Sequence, residues 1–249
     1  MTAILPCVAI TPMKAEAVPD DVAMWRLDLD LHARLPDSVL LSLDEAENAR
    51  LRRYARHEDK VRFAITRAAL KQLLAQAASC DDPARVSFAY TDRGRPQWPV
   101  SGLRFNVSHS GAMACIAISR RRDVGIDVEA TRDPDIDIDA LACIVFADVE
   151  RDAWERLPAA QRRDAFYRHW VCKEAALKTT GHGIADLLRH IAVRPCACGG
   201  ALHRIECDMH RLEGASLRDL TLCVLTLSAG YAGAVAWGPE YAVAGARAG

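Results

Sequence analysis

No stretch of this sequence approaches the ~20 consecutive apolar residues of a membrane-spanning helix, so an integral membrane protein is not expected. Net charge is nearly absent as well. The 32 lysines and arginines face 33 aspartates and glutamates, for a formal charge of −1. That balance excludes bulk attraction to nucleic acid or to an anionic membrane. A disulfide framework is missing too: nine cysteines, an odd number, are scattered along the chain, which suits reduced thiols and a cytoplasmic location. Residues 1–21 have no charged leader ahead of an apolar stretch and do not read as a secretory signal. With Pro6, Pro12 and Pro19 they read as a loose N-terminal arm. The Gly-x-Ser-x-Gly elbow, the His-Glu-x-x-His helix and the glycine-rich loop ending in Gly-Lys-Ser/Thr are all lacking, so the serine-hydrolase, zinc-peptidase and P-loop chemistries have no support.

What is present is a chain of 249 residues, 51% hydrophobic, enough for one large domain or two small ones with a real core. Alternation from Trp25 to Asp30 predicts a first strand. Ser42 followed by Glu45 resembles a capping box opening a helix towards Tyr54. A second helix is expected from about His57 to Ala78, with Val61, Ile65, Ala69 and Leu73 on one side. Strands are expected at Val86–Tyr90, Ala114–Ser119 and Val124–Val128. Asp92 to Pro96 reads as a turn. Helices are expected at Ile138–Phe146, Asp148–Leu157 and Gln161–Thr180. Four further strands follow, Ile191–Arg194, Ala201–Cys207, Leu220–Leu227 and Ala232–Trp237, before a frayed tail after Pro239.

Three carboxylates stand out. Asp127 and Glu129 alternate with apolar residues in Val-Gly-Ile-Asp-Val-Glu, so both point to one face of a strand. Side by side they repel unless a cation lies between them. On the Phe166–Lys178 helix, Phe166, Tyr167, Trp170, Val171 and Leu177 fill one apolar arc, and Glu174 falls near its middle. A carboxylate among apolar neighbours is costly unless paired or metal-bound. The three together read as oxygen ligands for one hard cation, Mg²⁺ first among candidates. The bland readings are an exposed strand face for Asp127 and Glu129, and an ordinary i, i+4 pair for Glu174 and Lys178, worth only ~0.2–0.5 kcal/mol.

Basic groups supply the counterpart. Arg50, Arg52, Arg53, Arg56, Arg62 and Arg67 crowd the first half, and Arg62 and Arg67 lie in otherwise apolar surroundings. Arg95 sits in a Gly-Arg-Pro turn and His109 between two serines. Such groups beside backbone amides suit phosphate oxygens. Cys196, Cys198, His203, Cys207 and His210 form a second cluster, but Cys-x-Cys is too tight for a zinc knuckle. Gly199-Gly200 reads instead as a hairpin turn.

Three blocks carry a resemblance: Phe105-Asn-Val-Ser-His-Ser-Gly111, Gly125-Ile-Asp-Val-Glu129 and Trp170-x-x-Lys-Glu-Ala-x-x-Lys178. In this order and spacing they resemble the 4′-phosphopantetheinyl transferases, most closely the large monomeric type that activates surfactin synthetase. Glu58-Asp-x-x-Arg62, Gly94-Arg-Pro96 and Gly230-Tyr-x-x-Ala-Val-Ala236 extend the resemblance over roughly residues 22–238. It implies an α+β fold of two similar subdomains, 22–125 and 126–238, related by a pseudo-twofold axis. The cofactor cleft would lie between them, with 1–21 as arm and 239–249 as tail. It implies Asp127, Glu129 and Glu174 as metal ligands, and Glu174, Lys178 and Asp127 as the catalytic set. Arg62, Gly94, Arg95, Pro96, Ser108, His109, Lys173 and Lys178 would hold coenzyme A. The implied reaction moves 4′-phosphopantetheine from coenzyme A to a serine of an apo carrier protein, with Mg²⁺, by a cytoplasmic monomer. Two alternatives stay open at this point: a non-catalytic module binding coenzyme A or a carrier protein, and a Mg²⁺-dependent nucleotide phosphohydrolase.

Overall fold

The computed structural model of the protein describes residues 8–181, 187–196, 201–207 and 217–241. Strands β1 (Ala9–Met13) and β2 (Ala23–Asp28) precede three helices, α1 (Asp37–Ser42), α2 (Glu45–Arg53) and α3 (His57–Ala77). A short hairpin, β3 (Ala89–Tyr90) and β4 (Pro96–Gln97), leads to β5 (Arg104–Ser110) and β6 (Met113–Ser119). The second half has a related order, with one strand ahead of its three helices. β7 (Val124–Ala130) precedes α4 (Ile138–Val145), α5 (Asp148–Glu155) and α6 (Ala159–Thr180), followed by β8 (Ile191–Pro195), β9 (Leu202–Cys207), β10 (Thr221–Val224) and β11 (Tyr231–Trp237). One antiparallel sheet runs β1-β2-β6-β5 and the other β7-β11-β10-β9-β8. In each, the strand ahead of the helices lies beside the last strand of its half.

Strand alternation divides the core into three. On β6, Ala114, Ile116 and Ile118 face α3, while Met113, Cys115 and Ala117 face the other sheet. Val124, Ile126 and Val128 of β7 and Val235 and Trp237 of β11 meet them from the second half. Ala234 and Ala236 pack under α6. The two sheets thus share an apolar middle layer, with a helical layer outside each.

The loose arm is corrected in part: Ala9–Met13 pairs antiparallel with Met24–Asp28. It is an edge strand, which is where a proline such as Pro12 is tolerated. The capping box lies two residues later than expected. Asp44 accepts the Glu47 N–H at 2.8 Å and Glu47 accepts the Asp44 N–H at 2.9 Å, while the Ser42 hydroxyl turns back to the Val39 carbonyl. The expected Val86–Tyr90 strand shrinks to its last two residues, because Val86 N–H closes a 3-10 turn on Pro83. The strand expected over Leu220–Leu227 covers Thr221–Val224 only. Gly199-Gly200, Cys198 and His210 lie outside the described residues. Within them, β8 and β9 pair as an antiparallel hairpin with Pro195 opposite His203 and Ile191 opposite Cys207. Cys196 and Cys207 therefore stand at opposite ends of the ladder, about 17 Å apart at ~3.3 Å per residue, and cannot share one zinc ion.

Candidate active site

Gly125 explains how a helix comes to lie on β7. A Cβ there would stand 2.1 Å from the Ala175 carbonyl and 2.4 Å from Thr179 Oγ1. Only glycine permits that approach. On the same strand face follow Asp127 and Glu129, and α6 brings Glu174 and Lys178, one turn apart, over them. Asp127 is 1% exposed and Glu174 5%, which overturns the exposed-face reading of the strand.

A third element completes the cluster without a backbone ladder. β5 runs beside β7 in the other sheet, and its alternate side chains bridge the gap. Asn106 Oδ1 accepts the Ile126 N–H at 3.0 Å. Ser108 donates to Asp127 Oδ1 at 2.8 Å. Ser110 donates to Glu129 Oε2 at 2.8 Å and accepts the Ala130 N–H at 3.0 Å. The Asn-x-Ser-x-Ser pattern is therefore a polar seam between the halves. Asn106 and Ser110 were not expected in the site; their alternation on one strand face was the available signal.

Lys178 Nζ donates to Asp127 Oδ1 at 2.6 Å and to Ser108 Oγ at 3.0 Å. One ammonium does not balance three carboxylates. Burial, with the Asp127 charge behind it, pushes both Glu129 and Glu174 up to about 7. Asp127 Oδ2 is buried with no hydrogen-bond partner. Among the described residues no group of three His, Cys, Asp or Glu side chains stands already gathered as a metal-binding group. The donor set nonetheless fits a hard divalent cation: carboxylate oxygens in negative surplus, one of them orphaned in the interior.

The odd residues of β5 serve a second site. His109 and Val107 line a cavity of about 210 Å³ together with Arg50, Arg67, Tyr90, Gly94 and Pro96. The Arg50 guanidinium lies 5.0 Å from the centre of the Phe63 ring, and that of Arg67 4.6 Å from Phe88. Arg67 Nη1 is buried without a partner, a donor lacking its acceptor. Burial, reinforced by the charges of Arg62, Lys178 and Arg50, lowers the His109 pKa. Arg50 was not among the residues expected to bind the cofactor; the tertiary fold brings it to the cavity wall.

Three expected cofactor-binding residues are placed elsewhere. Lys173 requires correction: it is fully buried, and its Nζ donates to Glu150 Oε2 at 2.5 Å, Val145 O at 2.6 Å and Leu188 O at 3.0 Å. All three donors are committed, so it cannot reach a cofactor. Arg62 is engaged with Asp59 and, at 3.0 Å, the Gly111 carbonyl. Arg95 turns its guanidinium to Thr179 O at 2.7 Å, away from the Gly94 and Pro96 wall.

A buried acidic cluster beside a basic, aromatic-lined cavity is equipment for handling a phosphorylated substrate. Comparison with known proteins gives the class a family. Residues 123–236 match the 4′-phosphopantetheinyl transferase superfamily, and residues 37–121 match the N-terminal region described for 4′-phosphopantetheinyl transferases. The chain belongs to this superfamily and is a transferase of that class. It is 36% identical over 180 residues to 4′-phosphopantetheinyl transferase HetI of Nostoc sp., covering 71% of this chain and 75% of the relative. It is 30% identical over 169 residues to a 4′-phosphopantetheinyl transferase of Bacillus subtilis, 68% of this chain and 73% of the relative. A third relative, AcpT of Salmonella typhimurium, is 36% identical over 125 residues, 50% of this chain and 62% of its own. Among the described residues no helix is long and apolar enough to cross a membrane.

Proposed function

We propose that the protein transfers the 4′-phosphopantetheine group of coenzyme A to a serine hydroxyl of an apo carrier protein, releasing adenosine 3′,5′-bisphosphate. It would do so as a cytoplasmic monomer. The observation that carries this reading is that two of the buried atoms without a hydrogen-bond partner lie in these two sites, a donor at Arg67 Nη1 in the cavity and an acceptor at Asp127 Oδ2 in the acidic cluster. An anionic ligand satisfies the first and a cation the second. Arg50, Arg67 and His109 bind and orient the nucleotide end, with Gly94 and Pro96 forming its wall.

Asp127, Glu129 and Glu174 would hold Mg²⁺, which when bound neutralises pyrophosphate charge and steadies its oxygens. Ser108 and Ser110 fix the carboxylates that flank the reacting phosphate. Glu174 is the proton acceptor for the serine hydroxyl: burial raises its pKa to about 7 without a cation, and a bound Mg²⁺ would favour the ionised form that a general base requires. Lys178, anchored by Ser108, stabilises the charge that grows on the departing phosphate oxygen.

The test is mass spectrometry of apo carrier proteins incubated with the protein, coenzyme A and Mg²⁺. The expected result is a mass gain of one phosphopantetheinyl group on the carrier, requiring all three components. Release of a phosphorylated product without a carrier would instead identify a phosphohydrolase. Coenzyme A binding without any turnover would leave a binding module.

A further inference from the structure

The turn that carries Gly94 and Pro96 into the cavity wall is tightly closed. Thr91 N–H bonds to Arg95 O at 3.0 Å, Gly94 N–H to Thr91 O at 2.8 Å and Arg95 N–H to Thr91 Oγ1 at 3.1 Å. Gly94 sits at φ +78°, where a side chain is disfavoured. Between these two wall residues the Arg95 side chain leaves in the opposite direction. It crosses to the second half and donates through Nη1 to Thr179 O at 2.7 Å and through Nη2 to Val124 O at 3.4 Å. Thr179 follows Lys178 in the last turn of α6, and its carbonyl is one of the acceptors that a helix end leaves without an intrahelical partner. Val124 opens β7, the strand of Asp127 and Glu129. A guanidinium at a helix C-terminus also meets the negative end of the helix dipole. Gly181, at φ +72°, ends the helix beside it, with a notional Cβ only 3.6 Å from Arg95 Cδ.

We infer that Arg95 is a positioning residue that couples the nucleotide-side turn to the strand and helix bearing the catalytic carboxylates. It is not a ligand of the nucleotide. The inference rests on the transferase reading above and adds to it a route between its two sites. Occupancy of the cavity fixes the 91–96 turn, the turn fixes Arg95, and Arg95 fixes where Lys178 and Asp127 stand. The guanidinium suits this role because it spans two carbonyls of different elements at once, which an ammonium does less well.

The test compares Arg95→Met and Arg95→Lys with the parent protein. Calorimetry with adenosine 3′,5′-bisphosphate reads the nucleotide end alone, and carrier modification at saturating coenzyme A reads turnover. Arg95→Met is expected to leave the nucleotide Kd and the KM for coenzyme A essentially unchanged. It should lower kcat by about tenfold to a hundredfold, as misplaced catalytic groups do. Arg95→Lys should recover part of the loss, since one donor to Thr179 O remains. A weakened nucleotide Kd, whether or not kcat also falls, would make Arg95 a ligand and overturn the inference. Amide exchange over residues 176–181 is a readout independent of catalysis. Arg95→Met should exchange faster there, even if the parent transfers nothing and the transferase reading itself fails. Unchanged exchange at that helix end would overturn the bracing role.

Discussion

Each half of this protein contains the same buried device, used to different ends. In the first half, Glu47 at the third position of α2 closes its capping box and accepts Lys71 of α3 at 2.6 Å. In the second, Glu150 at the third position of α5 caps the Ala147 N–H and accepts Lys173 of α6 at 2.5 Å. Both lysines are fully buried. Both pin a short helix to the long one lying on the sheet. The residue that follows the lysine differs. It is Gln72 in the first half, 7% exposed with Nε2 unpartnered, and Glu174 in the second. A shared scaffold fixes a buried position on each long helix; an amide there is inert, and a carboxylate is chemistry.

The largest test of this equivalence is stability. Removing one partner of a buried ion pair costs about 3–5 kcal/mol. Lys173→Met should approach the upper figure by urea unfolding. Glu150 then keeps only the Ala147 and Val193 N–H donors. Lys71→Met should cost less, because Arg67 Nε lies 3.6 Å from Glu47 Oε1 and retains a positive charge nearby. Equal losses would mean that Arg67 does not compensate, and a reversed order would break the comparison of the two pairs.

Next in size is the difference between Gln72 and Glu174. Glu174→Gln gives the second half the side chain of the first. It should lower transfer by at least the ~10²-fold typical of a lost general base. The acidic limb of the rate–pH profile, measured at saturating Mg²⁺ and coenzyme A, should flatten as well. A persistent limb, with the rate restored by more Mg²⁺, would make Glu174 a ligand only. Gln72→Glu is the reciprocal change and should add no activity, because the strand of Asp127 and Glu129 packs against α6.

The acidic cluster was legible in the sequence because two periodicities report it. Period two places Asp127 and Glu129 together, and the helical period places Glu174 among Phe166, Val171 and Leu177. The partner of Lys173 was not legible. Glu150 lies 23 residues away on another helix, and a Lys-Glu-Ala run gives no sign that the lysine faces inward. The directions of Arg62 and Arg95 were hidden for a similar reason. A long side chain beside a turn can reach either half, and only the packed structure decides. The strand Ala9–Met13 was masked by Pro12, which an edge position accommodates.

A smaller effect is expected at the cavity. Arg67→Ala should weaken coenzyme A binding by about 1.5–3 kcal/mol, the range for a hydrogen bond to a charged group. Arg62→Ala should change stability more than affinity, since that guanidinium is already engaged with Asp59 and Gly111. Calorimetry with coenzyme A and its 3′-dephospho form sharpens the contrast. His109→Ala should reduce the preference for the 3′-phosphate, and an unchanged preference would remove His109 from that subsite.

The effect most dependent on conditions is the pH dependence of stability without a divalent cation. Burial and the Asp127 charge raise Glu129 and Glu174 to about 7 in the folded protein, against an ordinary value of 4.5. Between those values the folded state holds protons that the unfolded state has released, so stability falls as pH rises from about 4.5 to 7 and then levels off. This is the opposite sign to a salt-bridged carboxylate. A bound cation removes the penalty by favouring the ionised forms, so Mg²⁺ should raise the melting temperature more at pH 8 than at pH 5.5. Each kcal/mol corresponds to ~2–4 °C in a chain of this size, within reach of scanning fluorimetry. In Glu129→Gln/Glu174→Gln, both the fall in stability between pH 4.5 and 7 and the response to Mg²⁺ should shrink. If the double variant keeps the parent's pH dependence, the acidic half is not where the molecule stores its negative charge.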